Sequence, residues 1–544
     1  MRVPRPQSMG VLVPLVAIGT LAAGASLFAT RRGGGINSDS LNYLSIAENL
    51  RTGRGYRTSI TEWNDPDDTA VVGCWPPLFP TLLAGVRSAG VSLETTARAV
   101  PAVSFGLCVV LVGLFAFGAV QELLPQNPSS ILWHRTVLVS SALCTIHVPV
   151  FWLSTRTLSE MPFMALTVLT LYACTRATRA PAGRATLAWL AIASLAAGLA
   201  MLTRYLGVAV WLVLSGIALG LAKQRKLSFA CAAAVVALGV APLGLWFGRN
   251  VLLLGRLSGG GGGEPAHSAV ENVGLTLRTL IADAVPRPIL LSGFGGSLPL
   301  SPQALGALLG VVAALLCLWL FRGHLKWISA ACLRQSRQSC AARLGLSYSA
   351  AYLLTLIVCA STVSSEINRR LVAVVYPIVF CAGVPVCASV LLLCATERQE
   401  LHRRLRGLVL VYCAASGLAF VATVAGMSHN RGAELSQMRG TDSFRFLSQM
   451  TCDRFVSNLP GQLWWLTRKP TKSVPTRNAL RRADELPDAT GAGSCVVLFR
   501  AAESPYRPDL SEIQKAGLPQ RFGWRLIRSF DDCSIYMADE ITVE

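Results

Sequence analysis

Windows of about 20 consecutive apolar residues recur along this chain with short polar breaks between them, and a stretch of that length is what a helix needs to cross a bilayer. Placed on that rule, the spans fall near residues 10–29, 97–120, 136–153, 161–175, 186–202, 205–222, 228–247, 302–321, 346–362, 371–394 and 407–427, about eleven in all. The expected fold is therefore a mostly α, polytopic membrane protein. Composition agrees: 52% of the 544 residues are hydrophobic, 14% are charged, and the mean hydropathy is +0.50, which is too apolar for a soluble protein of this size. The run at 10–29 follows Arg2 and Arg5 and is long for a secretory leader, so it reads as a retained first helix.

The positive-inside rule orients these spans. Lys and Arg gather in every second loop: Arg176, Arg179 and Arg184; Lys223, Arg225 and Lys226; Arg322, Lys326, Arg334, Arg337 and Arg343; Arg398, Arg403, Arg404 and Arg406. The N-terminus is then cytoplasmic, and three large pieces lie outside: the loop 30–96, the loop 248–301 and the tail 428–544. The expected division is a membrane domain, 1–427, holding the first outer loop, and an extracytoplasmic domain, 428–544. Every cytoplasmic connection is too short to hold a nucleotide-binding domain.

A net charge of +20 invites a nucleic-acid reading, but the basic residues sit between apolar spans and form no aromatic-interleaved patch, so no nucleic acid is expected. Six of the 49 basic residues are lysine; arginine is the default cation here. The 16 cysteines show no CxxC pair or Cys/His ligand spacing. Cys452, Cys495 and Cys533 lie in the outer tail, where two of them can form a disulfide.

Asn37 to Pro80 is polar where its surroundings are apolar. Leu41, Leu44, Ile46, Ala47 and Leu50 recur at helical spacing, and Ser38 or Asp39 can cap that helix. A second amphipathic helix is predicted to start at Pro76-Pro77 and carry Leu78, Leu82, Leu83 and Val86. In the tail, CDRFVSN, GSCVVLF and CSIYMA read as strands of a small α/β domain.

Several residues can carry chemistry. Asp39 is either a helix cap or a general base beside the bilayer. Glu160, at the head of a span, either complements the helix dipole or serves a site. Arg204, Arg249, Arg369 and Arg370 stand at outer ends of spans, against the charge rule; they snorkel there or bind a phosphate at headgroup level. Asp65, Asp67, Asp68 and Glu62 match no calcium loop. The run Gly259–Gly263 lacks the Lys and Ser/Thr of a P-loop and reads as a hinge.

DSLNYLSIAENLRTGRGY followed by WPPLFP resembles the first outer loop of the type C membrane glycosyltransferases, in particular the bacterial protein-O-mannosyltransferase and aminoarabinose-transferase-like family. LSEMPF, LTRYLG, the Arg249-Asn250 pair and RRLVAVVYP are similar to further features of that group, and VSNLPGQLWWLTRKPTKSVP to its outer domains. The resemblance implies a polyprenyl-phosphate-linked sugar donor, an acceptor hydroxyl on lipid, glycan or protein, transfer with inversion, and a place in cell-envelope glycan assembly at the inner membrane. It implies Asp39 as the catalytic acid of the first loop and Glu160 as the second acid. Arg204, Arg249, Arg369, Arg370, Tyr43 and Trp75 are then candidates for donor and phosphate binding; no cofactor or metal is expected. A polytopic transporter or flippase of lipid-linked or anionic solutes is the alternative, as is a non-catalytic sensor that binds through its tail.

Overall fold

The computed structural model describes residues 9–65, 67–124, 130–258, 267–286, 321–362, 367–430, 438–480, 494–500 and 507–538, with positions 311, 312, 315, 319, 486 and 490. The chain separates into two compact units. One comprises residues 1–31, 98–252 and 256–429; the other comprises 32–97, 253–255 and 430–544.

The first unit is helical. Its described helices begin with α1 (Met9–Ala29); α2 (Ser38–Arg51) and α3 (Leu78–Ser88) belong to the other unit, and α4 (Leu93–Leu123) enters this one after its first turn. There follow α5 (Ser130–Ile146), α6 (Val148–Ser154), α7 (Glu160–Arg179), α8 (Arg184–Thr203), α9 (Val208–Lys223), α10 (Phe229–Leu254) and α11 (Ala269–Ala284), then helices at Leu325–Gln338, Cys340–Thr362, Tyr376–Glu397 and Gln399–Asn430.

Among the described residues, eight helices are long and apolar enough to cross a membrane. A ninth span arises if α5 and α6, bent by 63°, act together. The protein is a multi-pass membrane protein with fewer demonstrable spans than the eleven expected, for two reasons. The span at 302–321 falls almost wholly outside the described residues. The span at 161–175 is a helix, α7, but four threonines and the charges of Glu160, Arg176 and Arg179 make it too polar to pass as a lipid-facing helix. Its neighbours bury it instead, since Thr167, Thr170 and Thr175 are inaccessible along with its apolar residues.

Close helix approach follows from small residues, as expected where lipid offers no hydrophobic drive for association. A Cβ added to Gly19 of α1 would lie 2.6 Å from the Gly106 carbonyl oxygen of α4, and one on Gly106 would lie equally close to that of Gly19. The two backbones touch only because both side chains are missing. The bend between α5 and α6 comes at His147, just before Pro149, which has no N–H to continue the helical ladder.

The second unit is built on a six-stranded sheet. Its strands are β2 (Ile60–Thr61), β4 (Phe455–Ser457), β5 (Thr471–Ser473), β6 (Cys495–Phe499), β7 (Trp524–Ser529) and β8 (Cys533–Ala538), in the order β2-β5-β4-β6-β8-β7. A separate pair, β1 (Arg57–Thr58) and β3 (Ala70–Val71), forms a small hairpin. The three tail segments read as strands are strands. The first four of the six run parallel and the last two antiparallel to their neighbours.

β6 lies centrally and is buried on both faces. By strand alternation, Val496 and Leu498 enter one core with Trp63, Val456, Ile513 and Trp524, while Cys495 and Val497 enter another with Phe455, Leu463, Cys533 and Ile535. β2 comes from the first loop and pairs with β5 of the tail, so the loop and the tail share one sheet. The acidic run is drawn into the same construction: Asp67 pairs with Arg57 at 3.2 Å, Asp68 with Arg454 at 3.5 Å, and Glu62 with Arg507 at 2.8 Å. Cys452, Cys495 and Cys533 are buried free thiols. The glycine run 259–263 lies outside the described residues.

Candidate active site

In the second unit, the first loop folds into the two helices its apolar spacing predicts, α2 and α3. The cap of α2 is neither Ser38 nor Asp39. Asn37 holds that position with an extended backbone, and its side-chain oxygen accepts from the Ser40 N–H at 2.9 Å. Asp39 stands in the first turn, half-exposed, with the indole Nε1 of Trp75 donating to its Oδ1 at 3.4 Å. One helical turn on, the buried ring of Tyr43 meets Trp75 edge-on at 6.2 Å and Phe79 at 5.1 Å. The Tyr56 hydroxyl donates to the Trp75 carbonyl at 2.9 Å, tying the GRGY end of the motif to the WPPLFP end. Three of the residues singled out from sequence, Asp39, Tyr43 and Trp75, thus form one cluster.

In the first unit, Glu160 opens α7 and is completely buried. Its Oε1 pairs with Arg204 at 2.8 Å and with the Nε of Arg370. The guanidiniums keep 14% and 19% of their side-chain surface exposed against none for the carboxylate. One anion therefore fixes two cations side by side. Arg204 reaches this place because α8 ends there: Arg204 is its C-cap in extended conformation, and a 3-10 turn over Tyr205–Gly207 leads into α9. Arg370 reaches it because Asn368 caps the short turn Arg369–Val372, accepting from Leu371 N–H at 3.3 Å.

The neighbouring Arg369 points to a different acid. It pairs with Asp283 of α11 at 2.6 Å, and the Tyr376 hydroxyl donates to the same carboxylate at 3.2 Å. His147, at the α5–α6 bend, packs against Tyr376 with ring centroids 4.4 Å apart and the planes inclined by 59°. Sequence reasoning missed Asp283; the available signal was an acid in LIADAVP, at the end of an amphipathic run. Arg249 lies over the Trp246 ring at 4.6 Å and bonds Asn250 at 2.9 Å, while Trp246 donates to the hydroxyl of Tyr205, the residue after Arg204. Its described contacts include no ion pair to Glu160. Among the described residues, no group of three His, Cys, Asp or Glu side chains converges as metal ligands would.

Solved structures share this architecture. ArnT from Cupriavidus metallidurans, solved with undecaprenyl phosphate bound, superposes over 97% of this chain and 98% of its own at a TM-score of 0.57 and 14% identity. The chain has the type C glycosyltransferase fold. The Archaeoglobus fulgidus oligosaccharyltransferase, solved with zinc and sulfate, shows the same type C arrangement over 96% of this chain and 73% of its own, at 0.52 and 14%. AglB from that organism, in complex with an inhibitory peptide and a dolichol phosphate, matches over 97% and 75% at 0.50 and 13%. No protein-family model and no curated protein matches the sequence, so this fold assignment rests on structure.

Proposed function

We propose that this chain is an integral membrane glycosyltransferase that moves a sugar from a polyprenyl phosphate to an acceptor hydroxyl, with inversion, on the extracytoplasmic face of the inner membrane. In that orientation the N-terminus is cytoplasmic and the tail faces outwards. The observation that carries the reading is the Glu160 cluster. A buried carboxylate that holds two partly exposed guanidiniums side by side is built to present them to an anion, and bidentate guanidinium contacts suit a phosphate. Arg204 Nε is buried and donates to nothing among the described residues, so it retains capacity for a phosphate oxygen. ArnT was solved with undecaprenyl phosphate bound and AglB in complex with a dolichol phosphate, which supports the same donor class here.

In the proposed reaction the acceptor oxygen attacks the anomeric carbon, the bond from that carbon to the phosphate oxygen breaks, and the acceptor proton passes to the Asp39 carboxylate. Attack opposite the leaving group inverts the centre. Polyprenyl phosphate leaves as an anion, and Arg204 and Arg370 balance the charge that grows on it. Glu160 touches neither sugar nor acceptor in this scheme; it positions the arginines. Asp283 neutralises Arg369, which makes Arg369 an anchor of its turn. Asp39 fits the base because Asn37 does the capping and the Asp39 carboxylate is partly exposed beside the Trp75 indole. Trp75 holds that carboxylate, and Tyr43 packs edge-on against Trp75.

The test is transfer by purified protein in lipid, supplied with radiolabelled polyprenyl phosphate sugars and a membrane extract as acceptor. Loss of label from the donor in wild type, abolished in Asp39→Asn, supports the reading. Folded protein that turns over no donor returns the assignment to the transporter alternative.

A further inference from the structure

The second unit holds a cavity of about 420 Å³ that the proposed reaction does not use. That volume lies within the roughly 300–1,000 Å³ of small-molecule sites. Its walls come from five stretches: the C-terminal half of α2 with the turn after it, Ser59 between β1 and β2, the end of α3, the start of α4 with Ser92 before it, and the tail helix Pro460–Thr467 with the residue after it. Glu48 lies nine residues beyond Asp39 on α2, on the order of 14 Å along the axis at 1.5 Å per residue.

The lining is polar and held in advance. Asn49 donates to the Arg57 carbonyl at 2.9 Å and to Ser59 Oγ at 3.0 Å, and Ser45 Oγ accepts the Ser59 N–H at 2.8 Å. Glu48 pairs with Arg87 at 3.2 Å, and Glu94 with Arg468 at 2.7 Å. Each acid has a second guanidinium, from Arg51 and Arg439 respectively. Arg54 also faces the cavity, presented by the turn that ends α2, where Gly53 and Gly55 on either side adopt φ of +75° and +80°. Side chains other than glycine resist that conformation, which accounts for the spacing in TGRGY. Two acids against the arginines that pair with them, plus Arg54, leave the cavity positive.

We propose that this cavity binds a saccharide that carries a carboxylate or phosphate, as the docking site of the acceptor glycan. A sugar hydroxyl both donates and accepts, and a wall that alternates carboxylates, guanidiniums, hydroxyls and an amide meets both needs. Neutral polyols do not need the surplus arginine charge, whereas an anionic glycan does. A peptide would require the apolar anchor pockets that this lining lacks. The acceptor role rests on the glycosyltransferase reading; the binding site does not.

The test is calorimetric titration of the full-length protein in phospholipid nanodiscs, without donor, using cellobiouronic acid, cellobiose and inorganic phosphate as probes. Saturable binding of cellobiouronic acid about ten-fold or more tighter than either other probe is expected, a factor that corresponds to one charge-assisted hydrogen bond. Arg54→Glu, at an exposed position with no described ion pair, should weaken it by a similar factor, while Arg87→Gln should do so by loosening Glu48. Asp39→Asn should bind as wild type, so failure of the catalytic scheme leaves this result standing. The proposal is overturned by phosphate binding as tightly as the disaccharide, which marks a simple anion or headgroup site. Equal binding of cellobiose, no binding of any probe, or loss of binding in Asp39→Asn would overturn it equally.

Discussion

Asp39 and Glu160 are both acids in the first turn of a helix, and their surroundings differ in every respect that matters to chemistry. Asp39 is half-exposed in a polar loop, relieved of capping by Asn37, with an indole N–H as its described neighbour. Glu160 has no accessible surface and spends its charge on Arg204 and Arg370. An accessible carboxylate can meet a substrate hydroxyl; an inaccessible one can act only through the groups it holds. Residue type and helix position do not determine role, and burial with partners does.

The comparison breaks most readily at Asp39. Asp39→Asn should lower transfer by ~10²–10⁴-fold while the thermal melting curve stays within error of wild type; an active Asp39→Asn enzyme would remove the base from this residue. Glu160→Gln should behave in the opposite manner, as a stability defect first. It strands two guanidiniums, and breaking a buried pair costs about 3–5 kcal/mol, read as a large drop in melting temperature. Combining Glu160→Gln with Arg370→Gln should recover part of that loss, because only one cation is then uncompensated.

Arg370→Gln alone sharpens the contrast, since it should spare folding more than Glu160→Gln and still cost about 10–100-fold in kcat/KM through one lost charge-assisted contact. Donor titration checks this. Asn37→Ala should remove about 1 kcal/mol of helix stability, detectable by denaturation, with a much smaller effect on transfer than Asp39→Asn.

The smallest effect concerns acid. Burial opposes ionisation of Glu48, but its bonds and ion pairs with Arg51 and Arg87 outweigh burial and hold the carboxyl below the ordinary glutamate value near 4.5. A depressed folded pKa contributes stability that is present above the unfolded value and lost as pH falls through the folded one. The second unit should therefore melt earlier as pH drops below about 4.5, and Glu48→Gln should reduce that dependence.

Much of the helical layout was legible because it depends on local pattern. Apolar length placed the spans, a 3.6-residue period placed α2 and α3, and short β-branched runs between turn residues placed β4, β6 and β8. The burial of α7 was not legible, because its threonines and end charges do not say which helices cover them. The choice of Asn37 as cap was also out of reach, because N-S-D-S offers four adequate caps and the entry angle of the chain selects one.

What the sequence by itself determined is the membrane architecture, the two loop helices and the strand segments of the tail, all of which follow from neighbours within tens of residues. Only the tertiary structure decided that β2 of the first loop completes the tail's sheet, that Arg369 and Arg370 serve different acids, and that Asp283 is one of them. Arg370 meets Glu160 across 210 positions, and no periodicity spans that distance. Ion-pair choice is set by which helix ends meet, and helix ends meet only when the whole unit has packed.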